Sequence, residues 1–131
     1  MENVNRMKFS WLLPILILLI LSPACRMLSP KVPPELIGTW RSADPRYQDK
    51  FMTFDSGYVT LGLGEDHTPG VGRVTSIASS VEAGVSTYVI ESRDQEDHLD
   101  KITVHYSPLR GGELRLSNQT IWKKDAPGAD Q

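Results

Sequence analysis

The sequence contains few of the residues and motifs that usually reveal chemistry in a small protein. Its 131 residues include a single cysteine, Cys25, so no disulfide can form within the chain. The three histidines, His67, His98 and His105, lack the spacing of a zinc site. The chain also lacks a Gly-x-Ser-x-Gly nucleophile elbow and a glycine-rich phosphate loop followed by a helix. We therefore predict no enzymatic activity, no metal and no cofactor.

An excess of basic charge is missing as well. The chain has 14 Lys and Arg against 16 Asp and Glu, and no basic patch alternates with aromatic residues. Nucleic acid is therefore not expected as a partner. The length allows one domain, and a domain of this size can build only a modest hydrophobic core.

The most distinctive stretch lies near the N-terminus. Arg6 and Lys8 precede an apolar run from Trp11 to Leu21, which ends in Ser-Pro-Ala-Cys25. A basic start, a short apolar core and small residues form the order of a secretory signal peptide. Leu21-Ser-Pro-Ala-Cys25 resembles the lipobox of bacterial lipoproteins. The resemblance implies cleavage before Cys25, lipidation of its thiol, and an exported, membrane-anchored protein of the bacterial cell envelope that faces the periplasm or the cell exterior.

Two other interpretations of this segment remain open. An ordinary signal peptidase could cut after Ala24, or the segment could stay as an anchoring helix. Residues 9–24 are shorter than the approximately 20 apolar residues that a bilayer span needs, and Pro14 and Pro23 interrupt them. A lone cysteine in an exported chain has no disulfide partner, and lipidation gives it a role. We therefore favour the lipoprotein.

The residues after Cys25 predict a tether, which is either a semi-rigid extended spacer or a disordered linker without special stiffness. Three prolines fall between residues 26 and 34, and proline favours an extended chain of about 3.1 Å per residue. The predicted organisation is a signal peptide at 1–24, the lipidated cysteine and tether at 25–34, a β-domain at 35–124 and a disordered polar tail at 125–131.

Beyond the tether, short β-prone runs alternate with turn residues. Val59, Leu61 and Leu63 show the period of two that is typical of a half-buried strand, and no helical period follows. Asp55-Ser-Gly57 predicts a hairpin turn with Gly57 at positive φ. Eight short strands of this kind predict an all-β fold, either an antiparallel up-and-down barrel or a sandwich. The predicted strands are Leu36–Arg41, Lys50–Phe54, Tyr58–Leu63, Gly72–Ile77, Val85–Glu91, Leu99–Tyr106, Glu113–Ser117 and Thr120–Lys124.

Gly38-Thr39-Trp40 resembles the Gly-x-Trp opening of lipocalin-like barrels, in which the tryptophan closes one end. The last predicted strand carries a second tryptophan, Trp122. These two residues could form the floor of a site for a small apolar ligand, or they could simply fill the core. An interior occupied by large side chains would leave no room for a ligand. The side chains expected there are Phe51 or Phe54, Leu61, Tyr88, Ile102 and Leu116.

The acidic run from Asp94 to Asp100 offers oxygen atoms at alternate positions, as a calcium loop does. It lacks the central glycine and the terminal glutamate of an EF-hand, so a solvated hairpin tip explains it better. The sequence thus predicts a non-enzymatic binding or structural module whose partner is an envelope protein or a glycan. The alternative is a carrier of a small apolar ligand.

Overall fold

The computed structural model describes residues 29–126, and these form a closed, antiparallel β-barrel of eight strands. The signal segment, Cys25 and residues 127–131 lie outside the described residues. Each strand pairs with the next in sequence, and the last pairs with the first. The strands are β1 Gly38–Ser42, β2 Phe51–Phe54, β3 Tyr58–Gly62, β4 Gly70–Glu82, β5 Val85–Arg93, β6 Leu99–Ser107, β7 Glu113–Arg115 and β8 Ile121–Lys124. The all-β prediction is confirmed, and the up-and-down barrel is the correct alternative of the two.

The only helical elements in residues 29–126 are two 3₁₀ turns, Pro45–Tyr47 and Leu109–Gly111. Within this part of the chain, no helix has the length and apolar character required to cross a bilayer.

The barrel has two ends, which we call proximal and distal. The proximal end receives residues 29–37 and carries the β2–β3, β4–β5 and β6–β7 connections. The distal end carries the β1–β2, β3–β4, β5–β6 and β7–β8 connections.

The interior is a continuous core of side chains from all eight strands. Strand residues alternate between the interior and the outer surface, and the inward positions are mostly large and apolar. The expected interior residues Phe54 and Tyr88 are buried, and Leu61, Ile102 and Leu116 pack against the core. The buried strand residues with large apolar side chains are Trp40, Met52, Phe54, Val59, Val74, Tyr88, Ile90, Val104, Leu114 and Trp122.

Residues before β1 close the proximal end. Val32 and Leu36 are buried, and the Val32 N–H donates to the Ser56 carbonyl at 3.0 Å. The Lys124 ammonium donates to the Glu35 carbonyl at 3.0 Å, and the Tyr88 hydroxyl donates to the Glu35 carboxylate. The last residues of the predicted tether therefore contact the barrel, and the buried core begins at Val32. The division of the chain into domains otherwise stays a prediction.

Strand β4 is longer than predicted, because it continues past Ile77 to Glu82 and pairs with β5 along its length. Small serine and alanine residues in this extension give little β signal, so the sequence pattern did not reveal it. Ala83 and Gly84 join the two strands with φ values of 50° and 76°. Positive φ at both central residues identifies a type I′ turn.

The prediction of positive φ at Gly57 is wrong. Gly57 is not among the residues with positive φ. The Asp55 N–H donates to the Tyr58 carbonyl at 2.9 Å, and the Val74 N–H donates to the Gly57 carbonyl at 2.9 Å. Hydrogen bonds within the turn and from β4 therefore hold this connection without a left-handed glycine.

Candidate functional site

Trp40 and Trp122 are both buried, at 1% and 3% exposure. They lie on neighbouring strands, two positions apart in the β1–β8 register. The Trp40 indole N–H donates to the Leu36 carbonyl at 2.9 Å. Trp122 packs under Tyr47 at the distal end, with their ring centroids 5.6 Å apart. Both side chains fill the core, and a ligand contact by either one stays a prediction.

The interior retains little free space. A cavity of about 110 Å³ lies at the distal end and is lined by Leu61, Gly72, Ser92 and Ile102, with Asp94 and Asp100 at its rim. This volume is equivalent to a few water molecules at about 30 Å³ each. Small-molecule sites usually occupy about 300–1,000 Å³. An apolar ligand of ordinary size would therefore have to displace core side chains.

A larger concave region lies on the outer surface of the barrel. A cleft of about 500 Å³ extends from the 3₁₀ turn after β1 to the outward side chains of β7 and β8. Closure of the barrel brings these segments together, because β8 pairs with β1. The polar residues that line the cleft are Ser42, Asp44, Arg46, Glu113, Asn118, Gln119, Thr120 and Lys123.

Glu113 provides a carboxylate at one side of the cleft. Its side chain is only 8% exposed, and the Lys123 ammonium lies 3.1 Å from it. Arg110 and Arg115 lie 3.9 and 3.8 Å away. The hydrogen bond from Lys123, more than any other contact, lowers the pKa of Glu113 below its ordinary value. Glu113 is therefore a hydrogen-bond acceptor at neutral pH and not a proton donor.

Asp44 provides a second carboxylate at the other side of the cleft. It accepts hydrogen bonds from the Arg46 guanidinium, at 2.7 Å for the shortest, and from the Arg46 backbone N–H at 3.0 Å. These bonds lower the pKa of Asp44 to about 2. Asp44 thus caps the 3₁₀ turn and fixes Arg46, whose side chain is 75% exposed, beside the cleft.

The β7–β8 connection supplies the rest of the lining. The Asn118 amide donates to the Tyr47 hydroxyl at 2.8 Å and accepts from the Thr120 N–H at 3.1 Å. The Thr120 hydroxyl is buried and has no hydrogen-bond partner among residues 29–126. The same holds for the Trp122 indole N–H in that part of the chain.

These groups are suited to binding a polar molecule. The cleft offers carboxylate acceptors, cationic donors and an amide within one half-open surface. Histidine is absent from its lining, so the site lacks a group that commonly exchanges protons near neutral pH. Across residues 29–126, no three His, Cys, Asp or Glu side chains are arranged to hold a metal ion.

The acidic run after β5 forms a hairpin loop. The Asp94 carboxylate accepts hydrogen bonds from the Glu96 and His98 N–H groups, each at 2.9 Å, and contacts the His98 ring at 3.1 Å. The backbone hydrogen bond from His98, above all other contacts, lowers the pKa of Asp94. These contacts make Asp94 the organising residue of the turn.

Sequence reasoning missed the cleft. The alternation of Glu113 and Arg115 with Leu114 correctly indicates that both charged side chains face outward. The alternation gives no indication that Glu113 is shielded from solvent. The cations that cover it, Lys123 and Arg110, come from the next strand and from the preceding turn. Comparisons of the chain with protein-family models, with curated proteins and with solved structures find no match.

Proposed function

We propose that this protein is a membrane-tethered lipoprotein of the bacterial envelope whose barrel binds a polar partner at the outer cleft and catalyses no reaction. The observation that supports this function is that the cleft on the outer surface is larger than the cavity inside the barrel. The interior cavity beside Leu61 and Ile102 has a volume of about 110 Å³, whereas the outer cleft offers about 500 Å³. A partner would therefore meet the outside of the barrel.

The chemistry of the cleft favours a partner rich in hydroxyl, amide or charged groups. Glu113 and Asp44 accept hydrogen bonds, and Arg46 and Asn118 carry N–H groups at the same surface. The partner classes that fit this mixture are a glycan or a polar segment of an envelope protein. A flat apolar partner would leave these polar groups desolvated without compensation.

The residues that would anchor the protein to a membrane, the signal segment and Cys25, lie outside the described range. The support for this anchor is the order of basic start, apolar core and small residues before Cys25, together with the lack of any second cysteine. Acylation would make Cys25 an attachment point and not a nucleophile.

A carrier of a small apolar ligand has less support. Trp40 and Trp122 would have to contact the ligand, but their burial in a filled core leaves no open apolar surface beside them.

Site-specific photocrosslinking in living cells tests the cleft. A benzophenone amino acid replaces Ile121, which lines the cleft and is 38% exposed. The matched control replaces Leu63, which follows β3, is 52% exposed and lines neither the outer cleft nor the interior cavity. We expect a discrete adduct, identified by mass, from position 121 and none from position 63.

Charge reversal provides the second control. Arg46→Glu should abolish the adduct from position 121, and Lys101→Glu, at an outward position of β6 whose side chain is 59% exposed, should leave it unchanged. Equal adducts from positions 63 and 121, or an adduct that survives Arg46→Glu, would argue against the cleft as the binding site.

A further inference from the structure

We infer that the proximal end of the barrel rests on the bilayer, with Val81 and Leu109 in contact with lipid and the distal end turned away. This inference rests on the lipid anchor in the proposed function and adds the face of the barrel that meets the membrane. Three observations carry it: the point at which the chain joins the barrel, the exposed apolar side chains, and the distribution of charge.

The chain joins the barrel at the proximal end. Val32 is buried there and its N–H is bonded to the Ser56 carbonyl, so the chain is fixed to the barrel at this residue. Seven residues lie between Val32 and Cys25, counting Cys25 itself. At a maximum of about 3.6 Å per residue, the chain from Cys25 can reach about 25 Å. An acylated Cys25 would therefore keep the proximal end close to the headgroups.

Among residues 29–126, the two most exposed large apolar side chains lie at this same end. Val81 in the β4–β5 hairpin is 73% exposed, and Leu109 in the β6–β7 connection is 72% exposed. Strands β5 and β6 are neighbours, so the two connections adjoin one another. Arg110 follows Leu109 and has a side chain that is 76% exposed. An apolar tip flanked by a cation suits the boundary between acyl chains and phosphate groups.

The two ends of the barrel differ in charge. Acidic residues outnumber basic ones by only one at the proximal end, where Lys31, Arg110 and Lys124 accompany Glu35, Asp55, Glu82 and Asp125. Acidic residues outnumber basic ones in the distal connections. The distal acidic residues are Asp44, Asp49, Glu65, Asp66, Asp94, Glu96 and Asp97, and the distal basic residues are Arg46 and Lys50. An anionic bilayer surface repels the distal end more strongly, and this repulsion favours the proximal end as the contact.

This orientation has a consequence for the outer cleft. The 3₁₀ turn and the β7–β8 connection that line the cleft belong to the distal end. Glu113, which begins β7 and lies 3.9 Å from Arg110, belongs to the proximal side of the cleft. A barrel that stands on its proximal end would therefore present the distal part of the cleft to partners away from its own membrane.

Fluorescence quenching by lipid tests the orientation in the full chain, exported and processed by the cell that makes it. Leu109→Cys carries an environment-sensitive fluorophore at the proximal end, and Leu63→Cys carries it at the distal end as a matched control. Leu63 is a leucine with 52% exposure. The purified protein is reconstituted into vesicles of phosphatidylglycerol and phosphatidylcholine that contain nitroxide-labelled lipid. We expect the label at position 109 to lose most of its fluorescence and the label at position 63 to keep it.

Flotation of the vesicles and the intact mass are recorded on the same samples. Protein that floats with equal quenching at both positions, or with stronger quenching at 63, overturns the orientation and leaves the anchor standing. A label at 109 that is shielded from water but not quenched by lipid means that a second copy of the protein covers this end, which also overturns the orientation. Protein that does not float overturns the anchor, and with it the inference that depends on it.

Discussion

The two buried tryptophans differ in one hydrogen bond, and this difference can be measured. Trp40 donates to the Leu36 carbonyl, whereas the Trp122 indole has no partner among residues 29–126. Phenylalanine at either position removes similar volume. Because only Trp40→Phe also breaks a hydrogen bond, we expect it to lower the free energy of unfolding by about 1 kcal/mol more than Trp122→Phe. Urea unfolding of both variants measures the difference, and equal losses would contradict the assignment of the bond.

Position 62 has no room for a side chain, because an aromatic ring on the outer surface occupies the space beside it. A Cβ atom at position 62 would lie 2.2 Å from the ring of Phe51, its partner across β2 and β3. Arg41 covers the same ring, with its guanidinium 5.3 Å from the centroid, so the ring cannot move without disturbing a second contact. We expect Gly62→Ala to cost about 1–3 kcal/mol of stability, as overpacking usually does.

The control for this prediction is Gly70→Ala on β4. A Cβ atom at position 70 would meet nothing within 4 Å, and φ there is not positive. Thermal or urea unfolding should show little loss for Gly70→Ala. In a Phe51→Ala background the cost of Gly62→Ala should largely disappear. Equal losses for the two alanine variants would mean that the Phe51 ring does not limit position 62.

The pairing of Glu113 with Lys123 should make the free energy of unfolding depend on pH. The Lys123 ammonium lowers the pKa of Glu113 below its ordinary value of 4.5 in the folded protein. The ionised carboxylate therefore stabilises the fold above pH 4.5, and this contribution is lost as the pH falls through the lowered pKa. The stability difference between wild type and Glu113→Gln should be largest near pH 7 and should shrink below pH 4.5.

Urea unfolding between pH 7 and pH 2 checks this dependence. The Lys123→Met substitution removes the dominant hydrogen bond to Glu113. In that background Glu113→Gln should lower the free energy of unfolding by less, and the loss should vary less with pH. A difference that stays constant over the whole range would contradict an ionised, paired Glu113.

At the scale of single elements, the sequence predicts all eight strands but not all of their ends. Period-two alternation in Tyr58–Leu63 and β-branched residues in Leu99–Tyr106 are local signals, and both strands are present where expected. The extension of β4 to Glu82 is stabilised by pairing with β5 and not by its own residues. Such a partner-dependent end cannot be predicted from a local pattern.

The β4–β5 turn carries a residue that is not well suited to it. Ala83 has a φ of 50°, a left-handed conformation that costs an L-residue roughly 1–2 kcal/mol, and asparagine followed by glycine is the preferred pair in this turn. We expect Ala83→Asn and Ala83→Gly to raise the free energy of unfolding by about 0.5–1 kcal/mol. Ala78→Gly, in the extended part of the same strand, should instead lower it by about 0.5–1 kcal/mol. Urea unfolding distinguishes these signs, and a loss of stability in both Ala83 variants would contradict the turn assignment.

At the scale of the whole molecule, the sequence predicts the fold better than the candidate site. Trp40 and Trp122 are buried in the core, as large apolar residues at inward positions of a narrow barrel are, and a ligand contact by either one stays a prediction. The cleft was not expected. Its carboxylates, Asp44 and Glu113, come from opposite ends of the domain sequence and meet only because β8 closes against β1. Sequence reasoning without strand pairing cannot bring them together.

The whole molecule is, in our account, a filled barrel that works through its outer surface while Cys25 holds it to a membrane. Intact and native mass spectrometry of the full-length protein, extracted gently from its own membranes, tests this account most directly. We expect a chain that begins at Cys25 and carries a diacylglyceryl group and an N-linked acyl chain, with no further apolar molecule retained by the barrel. An unmodified Cys25 would contradict the tether. A tightly held apolar molecule of defined mass would contradict the filled barrel and identify the protein as a carrier.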